Sequence, residues 1–163
     1  MARTTIDFGI DLGTTNSIIA LTDGTGTVVV PNQDGSLLTP SAVHVDKRGK
    51  LWVGRKAKEK AFTDKENTAI EFKLQMGGDP HHSSKTFKAS GLKMAPEELS
   101  AEVLKSLRND VQVGRGEDVP GAVITIPAAF LQPQSDATRK AAELAGFQTC
   151  HLLQEPVAAA LAY

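Results

Sequence analysis

One run near the start of the chain, Ile6-Asp7-Phe8-Gly9-Ile10-Asp11-Leu12-Gly13-Thr14-Thr15-Asn16-Ser17, constrains the fold more than any other. Ile6, Phe8, Ile10 and Leu12 alternate with Asp7, Gly9 and Asp11. That period of two predicts a strand over residues 6–12 with one apolar face and with Asp11 on the other, near the strand's end. Gly13, Thr14, Thr15 and Asn16 follow as a tight turn, and a second apolar run over residues 17–21 leaves it. Closely spaced backbone N–H groups with hydroxyls beside them can wrap an anion. A neighbouring carboxylate suits a hydrated Mg2+, which prefers one or two carboxylates plus phosphate oxygens. A bare Gly-Thr-Thr is an ordinary hairpin turn, but strand, aspartate and turn in this order point to phosphate binding.

The remaining strands and helices are spaced as in an α/β domain. A meander of three strands opens the chain, over residues 6–12, 18–21 and 28–30, and Pro31-Asn32-Gln33-Asp34-Gly35 breaks it. A smaller segment follows, with short strands at 42–45 and 51–53 and a helix at 55–62. Thr68 and Glu71 have the spacing of a capping box, which predicts a short helix ended by Gly77-Gly78. On that helix Ile70 and Leu74 share one face, and Phe72 and Met76 another. Residues 79–84 read as a polar loop and 86–88 as a short strand. Pro96 opens a longer helix whose buried stripe is Leu99, Val103, Leu104, Leu107 and Val111, closed by Gly114-Arg115-Gly116. Residues 122–126 are apolar apart from Thr125, which predicts a strand covered on both faces. A helix over 133–145 ends at Gly146, a strand spans 149–153, and Glu155-Pro156 opens an alanine-rich helix. Strand, helix, strand with this connection length predicts a parallel crossover.

Composition narrows the function classes. A chain of 163 residues with 40% hydrophobic residues has enough apolar surface for one real core. Its net charge of −1 argues against a general nucleic-acid or anionic-membrane surface. The single cysteine, Cys150, allows no internal disulfide and fits a reducing compartment. Met1-Ala2-Arg3-Thr4 is not followed by a signal-like apolar core, and no apolar run reaches membrane length. A cytoplasmic protein is expected.

The first stretch resembles the first phosphate loop of the Hsp70 chaperone family, within the actin-like ATPase superfamily. Thr39-Pro40-Ser41, Val53-Gly54, Asn67-Thr68, Phe72-Lys73, Ile126-Pro127-Ala128-Ala129-Phe130 and Glu155-Pro156-Val157-Ala158-Ala159-Ala160 recur in Hsp70 order. The resemblance implies a ribonuclease-H-like motif, a β-meander followed by βαβα, with a small α+β subdomain inserted. Residues 1–37 and 96–163 would form subdomain IA and residues 38–95 subdomain IB. In the family a second ATPase lobe and a peptide-binding domain come later, so the chain is expected to be the first lobe of a larger chaperone ATPase. By itself it would offer an open half-site, inactive and with little affinity for ATP or ADP with Mg2+. Residues 77–94 make a shortened insert similar to the HscC-type branch.

The same resemblance implies roles. Lys73 would face the γ-phosphate and the attacking water. Taken alone, it is a solvated surface lysine. Asp11 and Glu155 would hold Mg2+ through water, although Glu155 also suits the helix dipole where it stands. Gly13, Thr14, Thr15 and Asn16 would contact phosphate, and Pro127 would relay nucleotide state. Implied partners are unfolded client polypeptides, through the peptide-binding domain, with J-protein and nucleotide-exchange co-chaperones. Neither nucleic acid nor membrane is implied. Departures cluster on the coupling surface: Ala129 stands for a tyrosine, Leu131 and Gln132 for asparagine and aspartate, and Ser135 and His151 for arginines. That pattern keeps open a non-catalytic nucleotide-binding regulator; a divergent actin-like ATPase is the other alternative, against which the Thr39-Pro40-Ser41 and Glu155-Pro156 boxes weigh. Asp79, His81 and His82 could be a metal site but are expected to be a mobile loop instead, His44 is a structural strand histidine, and Cys150 is a small buried hydrophobe.

Overall fold

The computed structural model describes residues 5–162. Met1, Ala2, Arg3, Thr4 and Tyr163, which fall in the expected 1–37 and 96–163 units, lie outside the described residues. β1 (Phe8–Leu12) has the alternation that the sequence predicts, with Phe8, Ile10 and Leu12 in the core and Asp11 exposed. β2 (Asn16–Thr22) returns antiparallel to it, so the turn between them is a residue tighter than expected and Asn16 already belongs to the strand. β3 (Thr27–Val29) completes the meander after a turn in which Asp23 accepts from the N–H and the hydroxyl of Thr25.

β4 (Thr39–Pro40) pairs with the start of β2, Asn16 opposite Pro40 and Ser17 opposite Thr39. The chain then builds a separate small sheet. β5 (Ala42–Val45) pairs with β6 (Leu51–Val53), and α1 (Arg55–Thr63) packs on them. The helix expected from Thr68 is absent. Residues Thr68–Ile70 form β7 instead, on the other edge of β5, with Ala42 opposite Ile70 and His44 opposite Thr68. The Thr68 hydroxyl is not a cap, because it donates to Asp64 O at 2.8 Å and meets His44 Nδ1 at 3.0 Å. Satisfying β5's second edge outweighs one local cap. The chain reverses at Glu71, whose φ of 56° is left-handed, into a 3-10 turn over Phe72–Gln75. The two expected faces nevertheless separate, Phe72 and Met76 inward and Ile70 and Leu74 outward.

The expected loop at 79–84 holds a one-turn helix, α2 (Pro80–Ser83), because Asp79 caps it by accepting from His81 N at 2.9 Å. The next strand, β8, is Lys85–Thr86 rather than 86–88, and pairs with an unforeseen β9 (Lys93–Met94). α3 (Pro96–Arg115) follows the expected stripe, with Leu99, Val103, Leu104, Leu107 and Val111 all within 2% of full burial. Glu98 accepts from Ala95 N at its start, and Gly116, at φ 68°, ends it. β10 (Gly121–Ile126) lies parallel to β1, α4 (Gln132–Leu144) returns along α3, β11 (Thr149–Gln154) lies parallel to β10, and α5 (Glu155–Leu161) leaves its end. The large sheet therefore runs β11-β10-β1-β2-β3, with β4 on β2. This is an α/β architecture with a small inserted α+β unit. One expectation fails in β10: only one face is deeply buried, while Val123 and Thr125 on the other are half-exposed among the described residues. Thr125 uses that face, as shown below.

A buried carboxylate on α3 gives a stability prediction. Asp110 is 3% exposed, Gln33 Nε2 donates to its Oδ1 at 3.4 Å, and its Oδ2 has no partner. Burial raises its carboxyl above the ordinary carboxylate range, and the charge of Asp34 adds to the rise. Asp34 is itself paired with Arg55 at 3.0 Å. The folded state thus holds this proton more tightly than the unfolded chain does, so stability falls as pH rises from the unfolded carboxylate value through the raised folded one. Asp110→Asn is expected to stabilise the chain at about pH 7 by about 1 kcal/mol, with the difference closing below about pH 4. Urea titrations of both proteins at the two pH values would check it. Equal stability at neutral pH would show that Asp110 carries no burial cost.

Candidate functional site

The turn at Gly13, Thr14 and Thr15 is held open and rigid from behind. A Cβ on Gly13 would stand 2.0 Å from the carbonyl oxygen of Asn16, so only glycine lets β1 turn into β2 this tightly. Ser41 anchors both ends of the turn. Its Oγ donates to Gly13 O at 2.8 Å and its N–H donates to Thr15 O at 2.9 Å. With that hydroxyl proton committed, Ser17 Oγ is the donor in its 2.9 Å contact with Ser41 Oγ. Thr39 and Pro40 deliver Ser41 there through β4. The Thr39-Pro40-Ser41 box is thus a brace for the turn.

Asp11 sits at the exposed side of the end of β1, one residue before the buried Leu12 that leads into the turn. Thr125 on β10 lies opposite it and donates Oγ1 to Asp11 Oδ1 at 3.0 Å, fixing the carboxylate's orientation. Sequence reasoning missed Thr125. Its signal was there, as the one polar residue in an apolar strand paired with β1.

Lys73 is far from surface-like, because its side chain is 6% exposed. Its Nζ lies 3.4 Å from Glu155 Oε1, a contact between residues 82 apart, and 5.5 Å from the centroid of the Phe130 ring. Three loops converge to do this. Lys73 rides on the 3-10 turn after Glu71, Phe130 comes from the segment before α4, and Glu155 is the first residue of α5. Pro127 positions the middle one, since its carbonyl accepts from Phe130 N at 3.1 Å and closes the turn beyond β10. Gly77 clamps the first one. It has φ 71°, and a Cβ there would meet the backbone of Pro133 and Gln134 at 2.7 Å. Glu155 is half-exposed, with 46% of its side chain open.

The structure joins Lys73 to Glu155 and Asp11 to Thr125, and each pair suits part of an anionic, metal-bearing ligand. An ammonium has three donors, so the contact with Glu155 at 3.4 Å leaves Lys73 able to serve an anion as well. Asp11 presents an exposed carboxylate next to a turn of backbone N–H groups, the donor set for a hydrated Mg2+ beside phosphate. By contrast, Asp79, His81 and His82 are a helix cap. The second carboxylate oxygen of Asp79 takes His82 Nδ1 at 3.0 Å, and among the described residues no cluster of three or more His, Cys, Asp or Glu could hold a metal ion directly. His44 is a buried strut on Thr68. Cys150 is half-buried and its thiol is pushed up by that burial, which keeps it unreactive. The positions that depart from the chaperone pattern are on the surface: Ala129, Leu131, Gln132 and His151 are exposed and Ser135 half-exposed. Gln132 lies along the exposed side of its own helix, its Nε2 donating to Asp136 Oδ1 at 2.7 Å. No helix among the described residues is long and apolar enough to cross a membrane.

One comparison with known proteins bears on these residues. The sequence model of the family described as Hsp70 protein matches residues 7–163, nearly the whole chain.

Proposed function

This chain belongs to the Hsp70 family, and we propose that it is the first lobe of a chaperone ATPase in which hydrolysis drives binding and release of unfolded polypeptide. The observation that carries the reading is Lys73, a nearly buried ammonium brought to Glu155 from 82 residues away. Burying a cation is costly without an anionic partner, and Glu155, which pairs with Lys73, is itself half-exposed and so leaves the ammonium room for a second anion. Residues 1–37 and 96–163 form the larger subdomain in this reading, and 38–95 the smaller. In this reading the chain is of the HscC type, and the shortened 77–94 insert supports that.

Mg-ATP, when bound, supplies the phosphoryl group that water accepts. Gly13, Thr14, Thr15 and Asn16 receive the phosphate oxygens on backbone N–H groups and hydroxyls. Asp11, held by Thr125, and Glu155 orient the metal's water shell. Lys73 offers a preorganised positive charge where negative charge develops. Pro127, which sets Phe130 against Lys73, relays the state of the site toward α4. Clients, J-proteins and nucleotide-exchange factors act in the cytoplasm in this reading. Because Ala129, Leu131, Gln132 and Ser135 lack the groups the family uses to link nucleotide state to the peptide domain, peptide is expected to stimulate turnover less than in a typical family member.

Single-turnover hydrolysis by the protein carrying both lobes tests the assignment. Asp11→Asn is expected to lower the rate at limiting Mg2+ by about 10–100-fold, partly recovered at high Mg2+, as for other outer-shell metal contacts. A wild-type protein that binds nucleotide without turning it over would instead establish the non-catalytic regulator.

A further inference from the structure

Charge is distributed very unevenly in this molecule. Residues 38–95 contain twelve Lys and Arg against six Asp and Glu, a net of +6, while the rest of the chain carries six against thirteen, a net of −7. The near-neutral total therefore hides two poles of opposite sign.

Part of the positive pole gathers around the only tryptophan. Trp52 stands on β6 opposite His44 of β5. It lies on the face of the small sheet turned away from Val43 and Val45, which are fully buried in the core. The ammonium of Lys50 is 4.3 Å from its ring centroid and that of Lys56 is 5.7 Å away. Lys56 and Lys60, one turn apart on α1, line with Trp52 an open cavity of about 700 Å3. Among the described residues, Lys50, Lys56 and Lys60 enter no ion pair with a carboxylate. Lys47 and Arg48 extend the positive charge along the exposed β5–β6 turn. Two acids also line the cavity, Asp46 and Glu59. Asp46 is already taken by the N–H groups of Arg48 and Lys50 at 2.8 and 3.0 Å. Asp11, Gly13, Lys73 and Glu155 take no part in it.

We propose that this face docks a short acidic segment of a partner protein, one that carries an aromatic side chain. The lysines supply charge complementarity, and the Trp52 ring at the cavity wall supplies a flat apolar surface for the aromatic group. A cavity of this size holds a few side chains. Length selects peptide over nucleic acid. At physiological ionic strength charges are screened beyond about 8 Å, so a short segment senses only the local lysines. An extended polyanion would run past the patch onto the part of the molecule that carries −7. A free small anion is disfavoured because the lysines are exposed and spread around the ring instead of converging on one point.

Because Trp52 is the single tryptophan, its emission reports this face alone. The chain would be titrated with an Asp/Glu peptide of about twelve residues bearing one central Phe, and separately with an oligothymidylate of equal charge. The peptide is expected to shift Trp52 emission saturably, and to lose at least about tenfold in affinity at roughly 1 M salt, where the screening length falls to about 3 Å. The double variant Lys56→Glu/Lys60→Glu is expected to bind at least about tenfold more weakly, with Lys140→Glu on α4 binding as wild type. Three results would overturn the proposal: no saturable shift, unchanged binding by the double variant, or an oligothymidylate that binds as tightly as the peptide.

Discussion

Replacing Lys73 with Met in the two-lobe protein is expected to slow single-turnover ATP hydrolysis by about 10²–10³, the effect of removing one preorganised charge from a developing oxyanion. The argument rests on where the ammonium is. At 6% exposure it is shielded from solvent, so its field on a nearby phosphoryl group is several times what the same charge exerts in water. Its position is fixed before any ligand arrives, by Glu155 at 3.4 Å, by the Phe130 ring and by the Gly77 clamp against α4. Methionine keeps the apolar stem that packs there and removes the charge. Chain stability is expected to stay within about 1 kcal/mol of wild type, because the carboxylate left behind, Glu155, is 46% exposed and keeps its hydration. Stopped reactions quantified for ADP, together with a urea titration, separate the two effects. Turnover at the wild-type rate with the fold intact would remove Lys73 from the chemistry.

Gly13→Ala is expected to damage both fold and ligand binding. Its Cβ would fall 2.0 Å from Asn16 O and 3.2 Å from Asn16 C, both backbone atoms that no rotamer change can move. The turn cannot simply open, because Ser41 holds Gly13 O on one side and Thr15 O on the other, and Ser41 is itself 3% exposed. Forcing one methyl into such a site is expected to cost at least about 2 kcal/mol, within the range for overpacked cores. Ser41→Ala loses the hydroxyl contacts without overlap, and should cost about 1 kcal/mol. Thermal unfolding of the two variants beside wild type gives the order. An alanine at position 13 that unfolds at the wild-type temperature would mean the turn is not rigid. Neither variant should affect Trp52 emission or peptide capture at the small subdomain, because that face shares no residue with the turn.

Much of the molecule is legible in the sequence wherever a single element carries its own signal. The alternation of Phe8, Ile10 and Leu12 fixes β1 and its buried face, and the five-residue apolar stripe fixes α3. In both, period and burial are the same property, so a local window suffices. The order of strand, aspartate, glycine and hydroxyls likewise marks the tight β1–β2 turn as a candidate anion site, because that chemistry lies within six residues, from Asp11 to Asn16. The tertiary structure alone decided whatever depends on a distant partner. Thr68 has the spacing of a helix cap and becomes a strand, because β5 has a free edge and 24 residues separate the two. β4 is two residues long, too short to have a period, and exists only because β2 is there to pair with it. Thr125 meets Asp11 across 114 residues and Lys73 meets Glu155 across 82. Each such contact is set by which elements the core forces together, and no window along the chain contains both of its ends.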